Sequence, residues 1–179
     1  MKRMLIPLLI LWLLCGCAPE RPGLVVKSYP LSPKGKTILI QHFDFYPELA
    51  TSVDKRAVAG FGESIALDIQ RFLKNAGFRY PLVIGPGEQA KGDILVRGTI
   101  TRVYGGDVQQ RMLAESFGFG TTEVKASGEI VELATSRSIL AFSFSKQSHY
   151  TWLDNETAVR ENLREVAQEV AKALIQMQP

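Results

Sequence analysis

The chain has 179 residues, with 21 basic and 18 acidic side chains, two histidines and two cysteines. That is one domain's worth of chain, long enough to bury a real core. No run of Lys or Arg makes the basic stripe that a nucleic-acid partner would call for, and the few scattered His and Cys exclude a transition-metal centre built at helical or finger spacing.

The amino terminus reads Met1, Lys2, Arg3 and then an apolar run from Met4 to Cys15. A helix needs roughly 20 apolar residues to span a bilayer, so this run is too short. A short positive region, an apolar stretch and small residues form the layout of a secretory signal peptide, here residues 1–16. Cys15 and Cys17 are separated by Gly16 alone. A disulfide at that spacing would be strained, a metal site would need more ligands nearby, and a redox pair normally has C-x-x-C spacing. Leu14, Cys15, Gly16 and Cys17 resemble the bacterial lipobox. The resemblance implies cleavage before Cys17 and acylation of Cys17, which anchors the protein to a membrane. Two or more acyl chains hold a protein stably, at about 0.8 kcal/mol per buried CH₂. In diderm bacteria an aspartate after that cysteine commonly retains a lipoprotein in the inner membrane. Ala18 stands there instead, which points to the outer membrane and its periplasmic face. The alternative is an ordinary cleaved signal that leaves a soluble secreted protein. Without Lys2 and Arg3 the basic and acidic counts are nearly equal.

Residues 17–35 contain Pro19, Pro22, Pro30 and Pro33 with Gly23 and Gly35, the punctuation of a lipidated, flexible tether. Its inner part, "LVVKSY", could add an edge strand. Residues 36–179 form the folded domain. "KTILIQHFDF" (36–45) predicts a strand. From about Val58 the residues Val58, Phe61, Ile65, Ile69, Phe72 and Leu73 recur at helical spacing, and "NAGF" (75–78) supplies a glycine stop. "YPLVIGPGEQAKG" predicts a short strand and a turn, and "DILVRGTITRVYGG" a long strand. Residues 121–135 and 136–150 predict a hairpin turning near Thr135 to Arg137. A last helix is capped by Asp154 or Asn155 and lined by Val159, Leu163, Val166, Val170, Leu174 and Met177. The expected fold is α+β or α/β: a two-layer domain with a mixed sheet of about five strands and two main helices.

Catalytic chemistry has little support. His42 lies two residues before Asp44, so on one strand they would share a face as a hydrogen-bonded structural pair. Ser64, Ser143, His149 and Asp154 make a hydrolytic set only on paper, because no G-x-S-x-G elbow is present. The segment "YGGDVQQRMLAESFGFGTTEV" (104–124) is the most unusual. Its Gly118 and Gly120 fit neither a P-loop nor a dinucleotide fingerprint. The segment is also too short for a transmembrane hairpin. Its apolar residues either fold back onto the core or stay exposed, and Arg111, Met112, Leu113, Phe117 and Phe119 are the best candidates for a partner surface.

The phrases "ILIQHFDF", "VAGFGESIALDIQRFLKNAGF" and "RGTITRVYGGD…FGFGTTEVKASGEIVEL" resemble a family of bacterial lipoproteins of uncharacterised function, over roughly residues 36–175. More distantly, the order of elements is similar to the amino-terminal domain of the Tol-system β-propeller protein. It is also similar to the periplasmic domain of the curli secretion channel and to the lipoprotein activators of penicillin-binding proteins. The resemblance implies an envelope protein that binds other proteins, with no catalytic residue, metal or cofactor. It does not carry over the curli channel's membrane-spanning hairpins, which have no counterpart in this sequence. The expected function is that of an outer-membrane-anchored accessory or assembly factor. The rivals are a self-assembling structural or secretion-accessory ring, which predicts a discrete oligomer, and a small-molecule-binding or enzymatic domain. The last predicts a pocket gathering His42, Asp44, Arg97 and His149.

Overall fold

The structure is a computed structural model that describes residues 25–26, 33, 35–54, 56–106, 121–148 and 153–177. Cys17, Arg111, Met112, Leu113, Phe117, Phe119 and His149 lie outside the described residues. Strands β1 (Val25–Val26), β2 (Thr37–Gln41), β3 (Asp44–Phe45) and β4 (Ala50–Thr51) come first. Helix α1 (Phe61–Asn75) follows, then β5 (Tyr80–Ile84), β6 (Ile94–Tyr104), β7 (Thr122–Glu132), β8 (Arg137–Ser148) and helix α2 (Asn155–Gln176). Single 3₁₀ turns at Pro47–Leu49 and Ala57–Gly60 flank β4.

Among the described residues all the strands join one mixed sheet of eight, in the order β1-β8-β7-β6-β2-β5, with β3 and β4 also paired to β6. The fold class is the expected one. The sheet exceeds the expected five strands because β1, β3 and β4 are pairs of residues added at its margins. β3 and β4 continue β2's parallel pairing along the upper part of β6, at Asp44↔Thr99 and Ala50↔Val103. β1, inside the expected tether, pairs antiparallel with β8 as the edge strand the sequence allowed.

One row of Cα partners crosses six strands: Val26, Leu140, Ile130, Val96, Ile40 and Val83. Leu140, Ile130, Val96 and Ile40 are fully buried or nearly so, and Val83 packs against the same core. Because side chains alternate across a strand, this row fixes which face the helices cover.

Helix α1 buries Phe61, Ile65, Ala66, Ile69 and Leu73, spaced by three and four residues. It starts at Phe61 rather than Val58, whose side chain is nonetheless buried in the preceding turn. Its stop is a Schellman motif. Gly77 sits at φ +86, its N–H donates to the Lys74 carbonyl, and the Phe78 N–H donates to the Leu73 carbonyl. In α2 the Asp154 carboxylate accepts from the Thr157 N–H at 2.9 Å. Its stripe of Val159, Leu163, Val166, Val170 and Leu174 is buried to 1% exposure or less, each side chain contributing roughly 1.5–3 kcal/mol relative to exposure. The helix ends at Gln176, so Met177 is the cap rather than part of the stripe, and it packs partly against the core. Among the described residues no helix is long and apolar enough to cross a membrane.

Candidate functional site

The two helices pack on each other and against one face of the sheet. The opposite face carries the alternate residues of each strand. In the middle of that face lies a hollow of about 680 Å³, bordered by Gln41, Asp44, Arg97, Thr99, Ser127 and Glu129. Its floor is backbone, because Gly98 and Gly128 stand directly opposite each other on β6 and β7.

The charges here are set by register. Arg97 and Glu129 are direct partners across β6 and β7, and Arg97 Nε donates to Glu129 Oε1 at 2.8 Å. Hydrogen bonds from the Arg97 guanidinium and from Ser138 hold the Glu129 carboxyl below the usual carboxylate range. Arg97 remains half exposed. Asp44 enters from β3, which pairs it with Thr99 beside the hollow.

Further up the same face, Glu123 is only 6% exposed. Burial raises its pKa, but a hydrogen bond from Gln147, contacts with Lys125 and the charge of Arg102 outweigh that and leave it lowered. Arg102 Nε and Lys125 Nζ approach it at 3.1 and 3.2 Å. From the hollow upward this face is therefore hydrophilic and largely self-paired along β6 and β7, whereas the row Leu39, Leu95 and Val131 makes its lower part apolar.

Of the residues foreseen for a pocket, Asp44 and Arg97 meet in this hollow. His42 does not line it, and the expected His42–Asp44 pair does not form. β2 ends at Gln41, the His42 N–H donates to the Ile84 carbonyl, and the Phe43 N–H turns to the Gly62 carbonyl. The two residues are thus not neighbours on one continuous strand, and among the described residues no hydrogen bond joins their side chains. Gln41, Thr99, Ser127 and Glu129 were missed. For the last three the signal is the alternation of polar residues along β6 and β7, whereas Gln41 ends β2. Among the described residues no group of three or more His, Cys, Asp or Glu could hold a metal ion.

No family model and no curated protein matches the chain. Solved structures do share its fold. Protein XCC0632 from Xanthomonas campestris is 12% identical, with 86% of this chain and 93% of that one covered and a TM-score of 0.57. The PelC dodecamer from Paraburkholderia phytofirmans is similar at 9% identity, with 83% and 95% covered and a TM-score of 0.55. At such identities the likeness is one of fold.

Proposed function

We propose that this chain is a lipoprotein of the bacterial envelope, held at the periplasmic face of the outer membrane by acyl chains on Cys17, whose domain works by binding protein rather than by catalysis. The observation that carries the reading is the hydrophilic hollow on the face opposite the helices. Small-molecule sites enclose most of their ligand and are lined mainly by apolar groups. This hollow is broad, polar and floored by backbone, bordered by Asp44, Arg97 and Glu129. A surface of that kind suits a protein partner that is itself polar at the contact. Confinement at a membrane raises the effective concentration of both partners, so a modest interface is enough. The resemblance to the Tol-system, curli and penicillin-binding-protein activator domains supports the same reading.

A second reading is self-assembly. The PelC structure is of a dodecamer, and its chain shares this fold over 95% of its length. The native mass of the detergent-extracted, full-length protein, read by size exclusion with light scattering, separates the two. A single closed oligomer supports the ring. A monomer that crosslinks to one envelope protein from positions around Arg97 supports the accessory role. A monomer with no crosslinked partner, combined with loss of cellular function on Asp44→Asn in a folded protein, overturns protein binding in favour of a small-molecule site.

A further inference from the structure

We infer that the anchor holds the β1–β8 corner of the sheet, at the Ser148 end, toward the lipid surface, and turns the β5 edge away from it. This rests on the reading of Cys17 as the acylated residue. Val25 and Val26 pair with Ala141 and Leu140, antiparallel to β8. The chain therefore enters β1 from the end of the sheet at which β8 finishes. Eight residues of advance separate Cys17 from Val25, and a fully extended chain covers at most ~28 Å in that length. Seven residues of advance along β8 separate Ala141 from Ser148, a rise of roughly 24 Å. The tether's full reach thus only just passes the end of β8. The two-residue pairing of β1 matters because it moves the effective point of attachment from the start of β2, inside the sheet, out to its edge.

The opposite edge is far from that corner. β1 and β5 are the two ends of the strand order, five spacings apart, or roughly 24 Å. Tyr80, at the start of β5, lies three residues below the level of Val26, because Val83 is the row partner of Val26 through β2, β6, β7 and β8. Gln147 lies seven residues above that level. The two positions are therefore separated by roughly 40 Å. A bilayer within the tether's reach meets the β8 side, and the half-exposed Tyr80 and Leu82 of β5 point into the aqueous compartment.

The test uses the full chain, acylated in cells, purified and reconstituted into phosphatidylethanolamine–phosphatidylglycerol vesicles with nitroxide-labelled headgroups. With Cys15 removed and Cys17 acylated, Gln147→Cys and Tyr80→Cys each add one free thiol for a fluorophore. Thermal melts of both variants check the fold. The expected result is quenching several-fold stronger at position 147 than at position 80. Equal quenching, or stronger quenching at 80, overturns the orientation. Inserting ten Gly/Ser residues between Ala18 and Val25 should at least halve the difference; a difference that survives intact assigns the orientation to direct contact by the domain and overturns the tether's role. Labelled palmitate incorporated by the wild type and lost in Cys17→Ser shows the anchor separately. Failure there sinks the anchor reading and the orientation with it, whereas equal quenching of an acylated protein sinks the orientation alone.

Discussion

Gly98 and Gly128 face each other across β6 and β7, and the rings of Phe43 and Phe142 lie over them on the helix side, with centroids 6.2 Å apart. A Cβ on Gly128 would stand 2.3 Å from the Arg97 carbonyl oxygen and 2.5 Å from Phe142 Cζ. A Cβ on Gly98 would meet Phe43 Cε1 at 2.5 Å and the Ser127 carbonyl oxygen at 2.8 Å. Glycine therefore lets two aromatic rings approach the strands closely and leaves bare backbone as the floor of the hollow. Gly128→Ala should destabilise the domain by about 3 kcal/mol, at the upper end of overpacking costs, because backbone on the neighbouring strand must move. Ser127→Ala, the next residue and on the opposite face, should stay within about 0.5 kcal/mol. Urea unfolding of both variants checks the contrast, and equal midpoints would refute the packing account.

Asn162 is fully buried on α2, and its Nδ2 donates to Thr122 Oγ1 at 2.8 Å. Thr122 Oγ1 in turn lies 2.7 Å from Ser148 Oγ, which ties the helix to the start of β7 and the end of β8. Asn162 Oδ1, also buried, meets no donor among the described residues. One amide thus makes a good bond and leaves an acceptor unsatisfied, and these effects oppose each other. Asn162→Leu loses the bond but also removes the stranded oxygen, so its stability should fall within about 1 kcal/mol of the wild type. Asn162→Asp introduces a buried charge with no cation beside it and should cost more than about 3 kcal/mol. A denaturant series that ranks Leu below Asp would reject this description.

The parts of the fold legible in the sequence are those governed by local pattern. The four-residue spacing of Phe61, Ile65, Ile69 and Leu73 declares α1, and "NAGF" declares its Schellman stop, because both depend on residues within two turns of each other. β4 is not legible, since two residues carry no period, and β3 reads as the end of one strand over 36–45, because the break after Gln41 and the pairing with β6 depend on where distant chain runs. The pairing of Gly98 with Gly128, and of Arg97 with Glu129, is set by register between strands about thirty residues apart. Alternation along one strand can put Arg97 and Thr99 on one face but cannot say what stands across from them. The His42–Asp44 expectation failed for the same reason. Whether a strand continues past Gln41 is decided by the Gly62 carbonyl, which claims the Phe43 N–H.

The β5 edge guards itself. It pairs with β2 on one side and ends the sheet on the other. Pro81 has no N–H to offer an incoming strand, and its carbonyl accepts from Gln70 Nε2 at 2.9 Å. Both devices blunt an edge that also exposes Tyr80 and Leu82. The double variant Gln70→Ala, Pro81→Val should keep a near-normal melting midpoint but associate with rising concentration, visible as an increasing sedimentation coefficient. Association unchanged from the wild type would mean that the edge is protected by something other than these two side chains.

Acid should weaken the domain through carboxylates on the open face and at the α2 cap. The Arg97 and Ser138 hydrogen bonds lower the pKa of Glu129. For Glu123, burial acts upward, but Gln147, Lys125 and Arg102 bring the net shift down. Asp154 is lowered chiefly by the Thr157 N–H. A carboxylate whose folded pKa lies below its unfolded one contributes stability that is fully present above the unfolded value and is lost as pH falls through the folded value. Stability should therefore be level near neutrality and decline below about pH 5, as the unfolded chain begins to take up protons that the folded chain refuses. Glu129→Gln should lower stability at pH 7 and shallow the acid limb, since one of the groups that couples folding to protons is gone. Asp154→Asn keeps a capping oxygen and should cost less at pH 7 than Asp154→Ala, which loses about 1 kcal/mol, while both flatten the acid limb. Urea midpoints measured from pH 3 to pH 7 test all three variants. An acid limb as steep in Glu129→Gln as in the wild type would remove the Arg97–Glu129 pair from the account.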